Sequence, residues 1–265
     1  MGERSPERRN QRAGWFFRAI WCLIGVGDAV SGEGRWRLSP RVRGAELCAR
    51  PKTEARVNPI KSSEPCKNSI GAPKDVTALA LEAADLSPAM AAYFAKCQDK
   101  IGFVPNVLIA YSHDMAKLEA FAAFYNDLML APSGLTKLER EMIAVVVSAE
   151  NRCWYCLVAH GAAVRQLSGD PALGEALALN YRQAKVTPKQ RAMLDFALKV
   201  ARASAEIEEA DRQRLRDSGF GERDIWDIAA VASFFAMSNR MASATGMQPN
   251  PEYHGQARDT GIPGK

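Results

Sequence analysis

A carboxylate, two thiols and an imidazole fall within twenty residues of this chain: Glu141, Cys153, Cys156 and His160. Their spacing, Glu-x11-Cys-x2-Cys-x3-His, suits thiol redox chemistry. Two cysteines separated by two residues sit on adjacent turns of a helix start, where their sulfurs can close a disulfide with little backbone motion. Unpaired amides at a helix N-terminus lower a thiol pKa, and the thiolate is the reactive species. His160 follows Cys156 by four residues, so both project from one face one turn apart. Its imidazole can take the thiol proton directly or through a water. Glu141, from the preceding helix, can orient that imidazole or pass the proton onward. Helix-start geometry by itself favours Cys153 as the more acidic thiol.

The same residue types have other uses. Cys-x2-Cys is often half of a zinc site, and His160 with a carboxylate would complete a four-ligand set. No second Cys-x2-Cys or paired histidine follows in the sequence, which makes zinc the lesser alternative. Trp154 and Tyr155 read as packing residues, with the Tyr155 hydroxyl as an accessory proton donor in second place. Cys97 reads as an unpaired helical cysteine, and His113 and His254 have no visible partner. The chain has 6 cysteines but no regular cysteine framework, so a reducing, cytoplasmic setting with one reactive pair is expected.

The elements that must position these groups read as helices. From Asp75 onward no stretch alternates like a strand, which predicts an all-α domain over residues 75–265 with one shared core. Ser87-Pro88 opens a helix to about Lys100, and Gly102 to Asn106 is a break. Ser112 is the expected cap of a helix to Leu130. Thr136 and Glu139 form a capping box that starts the Glu141 helix, which is apolar almost all round. The Cys helix follows over about 153–167, then a short helix over 171–180. Thr187-Pro188 and Gln190 open a helix to about Ala203; a polar helix (208–217) and a long one (221–245) complete the set. The tail from Gln248 is rich in Pro and Gly and is expected to be extended.

Residues 1–74 differ in composition, with 15 Lys/Arg against 7 Asp/Glu. They account for the overall charge of +5, and the mildly acidic remainder gives no reason to expect nucleic-acid binding. Residues 13–30 are largely apolar, but Arg18 and Asp28 interrupt them, so no firm membrane span is expected. The favoured reading is a mostly disordered extension without a function, or translation from an upstream start. A targeting peptide, with Ala29-Val30-Ser31 as a poor cleavage site, and a weak interfacial helix over residues 14–26 are the alternatives.

The Glu141, Cys153, Cys156 and His160 pattern, followed by Gly161, resembles the alkylhydroperoxidase D-like members of the carboxymuconolactone decarboxylase superfamily. The segments Gly102 to Val107, Arg140 to Ala144, Cys156 to Gly161 and Ser238 to Ala242 are similar to a branch of uncharacterised peroxidase-related enzymes. The resemblance spans residues 75–255. It implies an all-helical bundle that assembles into dimers, trimers or hexamers and reduces a small hydroperoxide through its thiol pair. It implies no cofactor, because a dithiol protein or a small thiol supplies the electrons. By the same resemblance Cys156 attacks the peroxide, Cys153 resolves the sulfenic acid to a disulfide, and Glu141 and His160 relay the proton. The characterised alkylhydroperoxidase has a histidine where this chain has Tyr155, a departure that bears on the relay and on its lipoyl-bearing reductant. Two competing readings are a lactone decarboxylase, which does not rely on Cys-x2-Cys, and a non-enzymatic redox-responsive oligomer.

Overall fold

Local capping chemistry sets most of the helix boundaries. The computed structural model describes residues 76–258, and among these there is no strand. The expectations for residues 1–74 lie outside the described residues. Helix α1 (Pro88–Ile101) starts where the Ser87 hydroxyl accepts the Met90 amide, and it stops at Gly102, whose φ of 86° suits glycine. A six-residue helix, α2 (Asn106–Tyr111), occupies the far end of the expected break. Six residues are too few to show a helical period in sequence. Helix α3 (Met115–Leu130) is capped by Asp114, which accepts the Lys117 amide, and not by Ser112. The Ser112 hydroxyl instead donates back to the Ile109 carbonyl at 2.7 Å and closes α2.

The capping box at Thr136 and Glu139 starts α4 (Lys137–Glu150) as expected. Residues 140–148 of α4 are all buried, so it forms the central rod of the bundle. Around it pack α3, α5 (Trp154–Ser168), α6 (Pro171–Asn180), α7 (Pro188–Arg202) and α9 (Glu222–Thr245). Met142, Ile143, Val145 and Val147 are fully enclosed, and burying each such side chain stabilises the fold by roughly 1.5–3 kcal/mol. Helices α5 and α6 cross closely at Gly174, where an added Cβ would lie 3.2 Å from the Gly161 carbonyl oxygen. Helix α8 (Glu209–Asp217) packs on α7 and α9.

As far as residue 258, the tail after Gln248 is not extended. It forms a short helix, α10 (Glu252–Gly255), that packs on α5. Asn250 accepts the Asn106 amide at 2.7 Å and donates to the Val104 carbonyl at 3.0 Å, so a tail residue caps the start of α2. Arg165 on α5, itself buried, donates to the carbonyls of Tyr253 and Gln256. Composition marks where regular structure is hard to make. It does not show that polar groups will find partners far away along the chain.

Candidate active site

The link between α4 and α5 sets the site. Asn151 ends α4, its amide bonding to the Val147 carbonyl at 3.1 Å. Arg152 then adopts a φ of 51°, a left-handed conformation uncommon for a residue with a side chain. The Cys153 amide returns to the Ser148 carbonyl at 3.0 Å. This two-residue reversal folds α5 back along α4 and leaves Cys153 as the N-cap of α5 in extended conformation. Cys156 lies in the first turn of the helix. Both cysteines are free thiols, 1% and 3% exposed respectively.

Because α5 lies along α4, His160 comes to Glu141. Its Nδ1 lies 2.7 Å from the Glu141 Oε2, with the carboxylate only 8% exposed. A carboxylate at Nδ1 holds the ring proton there and leaves Nε2 as the basic nitrogen. The imidazole meets the fully buried Phe235 of α9 edge-on, with ring centroids 4.5 Å apart, which fixes its plane. Glu141, His160 and Cys156 all line one cavity of about 200 Å³. Its other walls are mostly aromatic and aliphatic, including Tyr93, Phe103, Tyr125, Phe235 and Tyr253. Cys153 stands behind Cys156, within a small cluster that also includes Tyr155, Ala159, Ala242 and Met247.

The two sulfurs differ in acidity. The Cys153 thiol is lowered to about 6, first because the Cys156 thiol is placed to donate a hydrogen bond to it. Burial opposes this, while the Cys156 amide, Ser243 and Asn239 assist. The amide contributes by its direction without closing a capping hydrogen bond. Cys156 moves the other way, pushed well above the ordinary thiol range by its hydrogen bond to Cys153, by burial and by the Cys153 charge. The helix-start expectation for Cys153 thus matches the electrostatics, while Cys156 is the sulfur that faces the cavity.

Tyr155 also lines the cavity, but its hydroxyl accepts the Val107 amide at 3.0 Å and so caps the first turn of α2. Burial raises its pKa well above the phenol range. Trp154 is exposed and meets His254 with its ring tilted by 38°, centroids 5.5 Å apart. His113 bonds its own helix end, the Ala110 carbonyl, at 2.9 Å. Cys97 is half-buried on α1, and burial raises its thiol. Among the described residues no three His, Cys, Asp or Glu side chains gather closely enough to hold a metal ion.

Sequence reasoning missed the polar residues around the sulfurs. Asn239 is 1% exposed on α9, and its Nδ2 donates to the Ser148 hydroxyl at 2.9 Å. Asn151 Nδ2 in turn donates to Asn239 Oδ1 at 3.0 Å. The available signal was an asparagine in register with Ile228, Ala232, Phe235 and Ala242, on the buried stripe of α9. Among the described residues no helix is long and apolar enough to cross a membrane.

Comparison with known proteins places these features in a family. The carboxymuconolactone decarboxylase family matches residues 117–179. The crystal structure of an uncharacterized peroxidase-related protein from Silicibacter sp. TM1040 is 64% identical, with a TM-score of 0.68; the match covers 72% of this chain and 100% of that one. An alkylhydroperoxidase AhpD core structure, an uncharacterized peroxidase-related protein from Ralstonia eutropha JMP134, is 49% identical over 66% of this chain and 92% of that one, with a TM-score of 0.64. The debrominase Bmp8 shares the fold at 17% identity and a TM-score of 0.55, over 64% of this chain and 89% of its own. No curated protein matches the chain. With a bundle, a matched family segment and relatives this similar, the chain belongs to the alkylhydroperoxidase D-like group of the carboxymuconolactone decarboxylase superfamily.

Proposed function

We propose that this protein is a thiol peroxidase that reduces a small organic hydroperoxide at Cys156 and Cys153. One observation carries the reading: the Glu141–His160 pair, joined at 2.7 Å, lines the same cavity as Cys156, with the Cys153 sulfur directly behind. The cavity suits an apolar substituent of modest size. An apolar cavity of roughly 150 Å³ holds a benzene ring.

In the proposed cycle the Cys156 proton passes to the neighbouring Cys153 thiolate or to His160. The Cys156 thiolate attacks the distal peroxide oxygen. The O–O bond breaks, and the alkoxide leaves as the alcohol with the proton that Cys156 gave up, returned by Cys153 or by His160, which Glu141 keeps oriented. The Cys153 thiolate then attacks the Cys156 sulfenic acid, forming the disulfide, and the hydroxide leaves as water with a proton drawn from solvent. Two thiols and one hydroperoxide thus become one disulfide, one alcohol and one water. An external dithiol, on a protein or a small molecule, returns two electrons and two protons, so no cofactor is required. A cytoplasmic, reducing setting and assembly into a homo-oligomer belong to the same reading.

The test is mass mapping of cysteine states after substoichiometric organic hydroperoxide, alongside turnover with a dithiol. The reading expects a Cys153–Cys156 disulfide in the wild type and no turnover in Cys156→Ser. Full peroxidase activity in Cys156→Ser would overturn it.

A further inference from the structure

Behind the two sulfurs lies a buried amide and hydroxyl whose hydrogen bonds leave two protons unassigned. Asn151 is held first, its Nδ2 donating to the Val147 carbonyl at 3.1 Å and to Asn239 Oδ1 at 3.0 Å. That fixes which way the Asn239 amide points: its oxygen faces Asn151 and its nitrogen faces Ser148. One Nδ2 proton goes to the Ser148 oxygen at 2.9 Å. An amide nitrogen carries two protons and a hydroxyl one, so an Asn239 N–H and the Ser148 O–H remain. Asn239 and Ser148 are 1% and 0% exposed, so bulk solvent does not reach these protons. The groups beside them are the cysteines: Ser148 bonds the Cys153 amide through its carbonyl, and Ala242, one turn along α9, packs on the pair.

We propose that Asn239 and Ser148 form a preorganised donor pair that holds negative charge on the cysteine sulfurs and lets it move from Cys153 to Cys156. Asn239 acts on both sulfurs, Ser148 on Cys156, and Ser243, one turn after Asn239, on Cys153. A donor shared by both sulfurs serves either charged form. It therefore lowers the cost of transferring charge to the sulfur that faces the cavity. Fixed donors in a water-excluded site stabilise charge well, because they need not reorganise as it forms. The donors stand on helices α4 and α9, and neither donor lines the cavity. The titratable groups around the pair are Tyr155 and His160 from α5, Glu141 from α4 and Tyr253 at α10. From α9 come the neutral side chains Ser238, Asn239 and Ser243, while Arg240 is exposed and bonds the Ala236 carbonyl.

The consequence for catalysis rests on the peroxidase reading, but the test does not. The rate of iodoacetamide alkylation of the reduced full-length protein is followed against pH, with peptide mapping of the modified cysteine. The wild type is expected to show a midpoint near 6 at Cys153. In Asn239→Ala the midpoint rises by about one unit, so alkylation at pH 5 slows about tenfold. Ser148→Ala removes a donor to Cys156, so the Cys156 alkylation midpoint is expected to rise, and this decides the matter should Asn239→Ala fail to fold. A folded variant with a wild-type midpoint overturns the proposal. A protein whose midpoint depends on Asn239 but which reduces no hydroperoxide overturns the peroxidase reading and leaves the donor pair standing.

Discussion

At the scale of single residues, two adjacent thiols share one excess charge, and their acidities split as a result. With its thiol lowered to about 6, Cys153 carries most of that charge at pH 7, which in the proposed cycle leaves the resolving sulfur ionised in advance. The split has a consequence for stability. An unfolded thiol ionises near 9. The lowered Cys153 therefore gives stabilisation that is complete above pH 9 and lost as pH falls through 6. The raised Cys156 acts oppositely, because above pH 9 the unfolded chain releases a proton that the folded chain retains. Urea midpoints of the reduced protein are expected to rise between pH 6 and 9 and fall beyond, with the rise absent in Cys153→Ser. Glu141→Gln tests the relay separately. It keeps a hydrogen-bonding side chain at His160 but removes the charge that supports the imidazolium. Steady-state turnover is expected to fall on the order of a hundredfold.

At the scale of elements, the short reversal between α4 and α5 and the start of α2 decide where the reacting groups stand. Arg152 holds a left-handed φ that glycine adopts without steric cost. Arg152→Gly is expected to leave the melting temperature and activity near wild type, whereas a β-branched residue there lowers stability by about 1–3 kcal/mol. Tyr155 separates two readings of one side chain. If its hydroxyl matters as the acceptor for the Val107 amide, Tyr155→Phe costs about 0.5–1.5 kcal/mol in denaturant unfolding and leaves the pH profile of turnover unmoved. A changed profile at preserved stability would assign it to proton transfer instead.

At the scale of the whole molecule, distant segments converge on one cavity. The α1–α2 break contributes Phe103, α2 Val107, α4 Glu141, α5 Cys156 and His160, α9 Phe235, and the tail Tyr253. Tyr253 meets Phe103 edge-on at 4.9 Å, so the tail closes one side of the cavity. Asn250 is the buried clasp of that closure. Asn250→Ala leaves an amide and a carbonyl without their partner and is expected to cost about 1–3 kcal/mol in urea unfolding. On the peroxidase reading it is also expected to raise KM more than it lowers kcat, because the loosened wall bears Tyr253 and Phe103 and not the sulfurs.

Much of this was legible in the amino-acid order, because helix caps, helical periods and an i to i+4 spacing are local. Thr136, Thr187 and Ser87 open their helices as read, and Cys156 and His160 share a face through spacing alone. The union of Glu141 with His160 needed one further condition, that α5 fold back on α4, which the short link strongly constrains. Only tertiary structure could bring Asn239 to Ser148 and the sulfurs, seat Asn250 at the start of α2, and place Cys156, not Cys153, at the cavity wall. Those contacts join residues scores of positions apart. They arise from the packing of whole helices around α4, which no local pattern encodes.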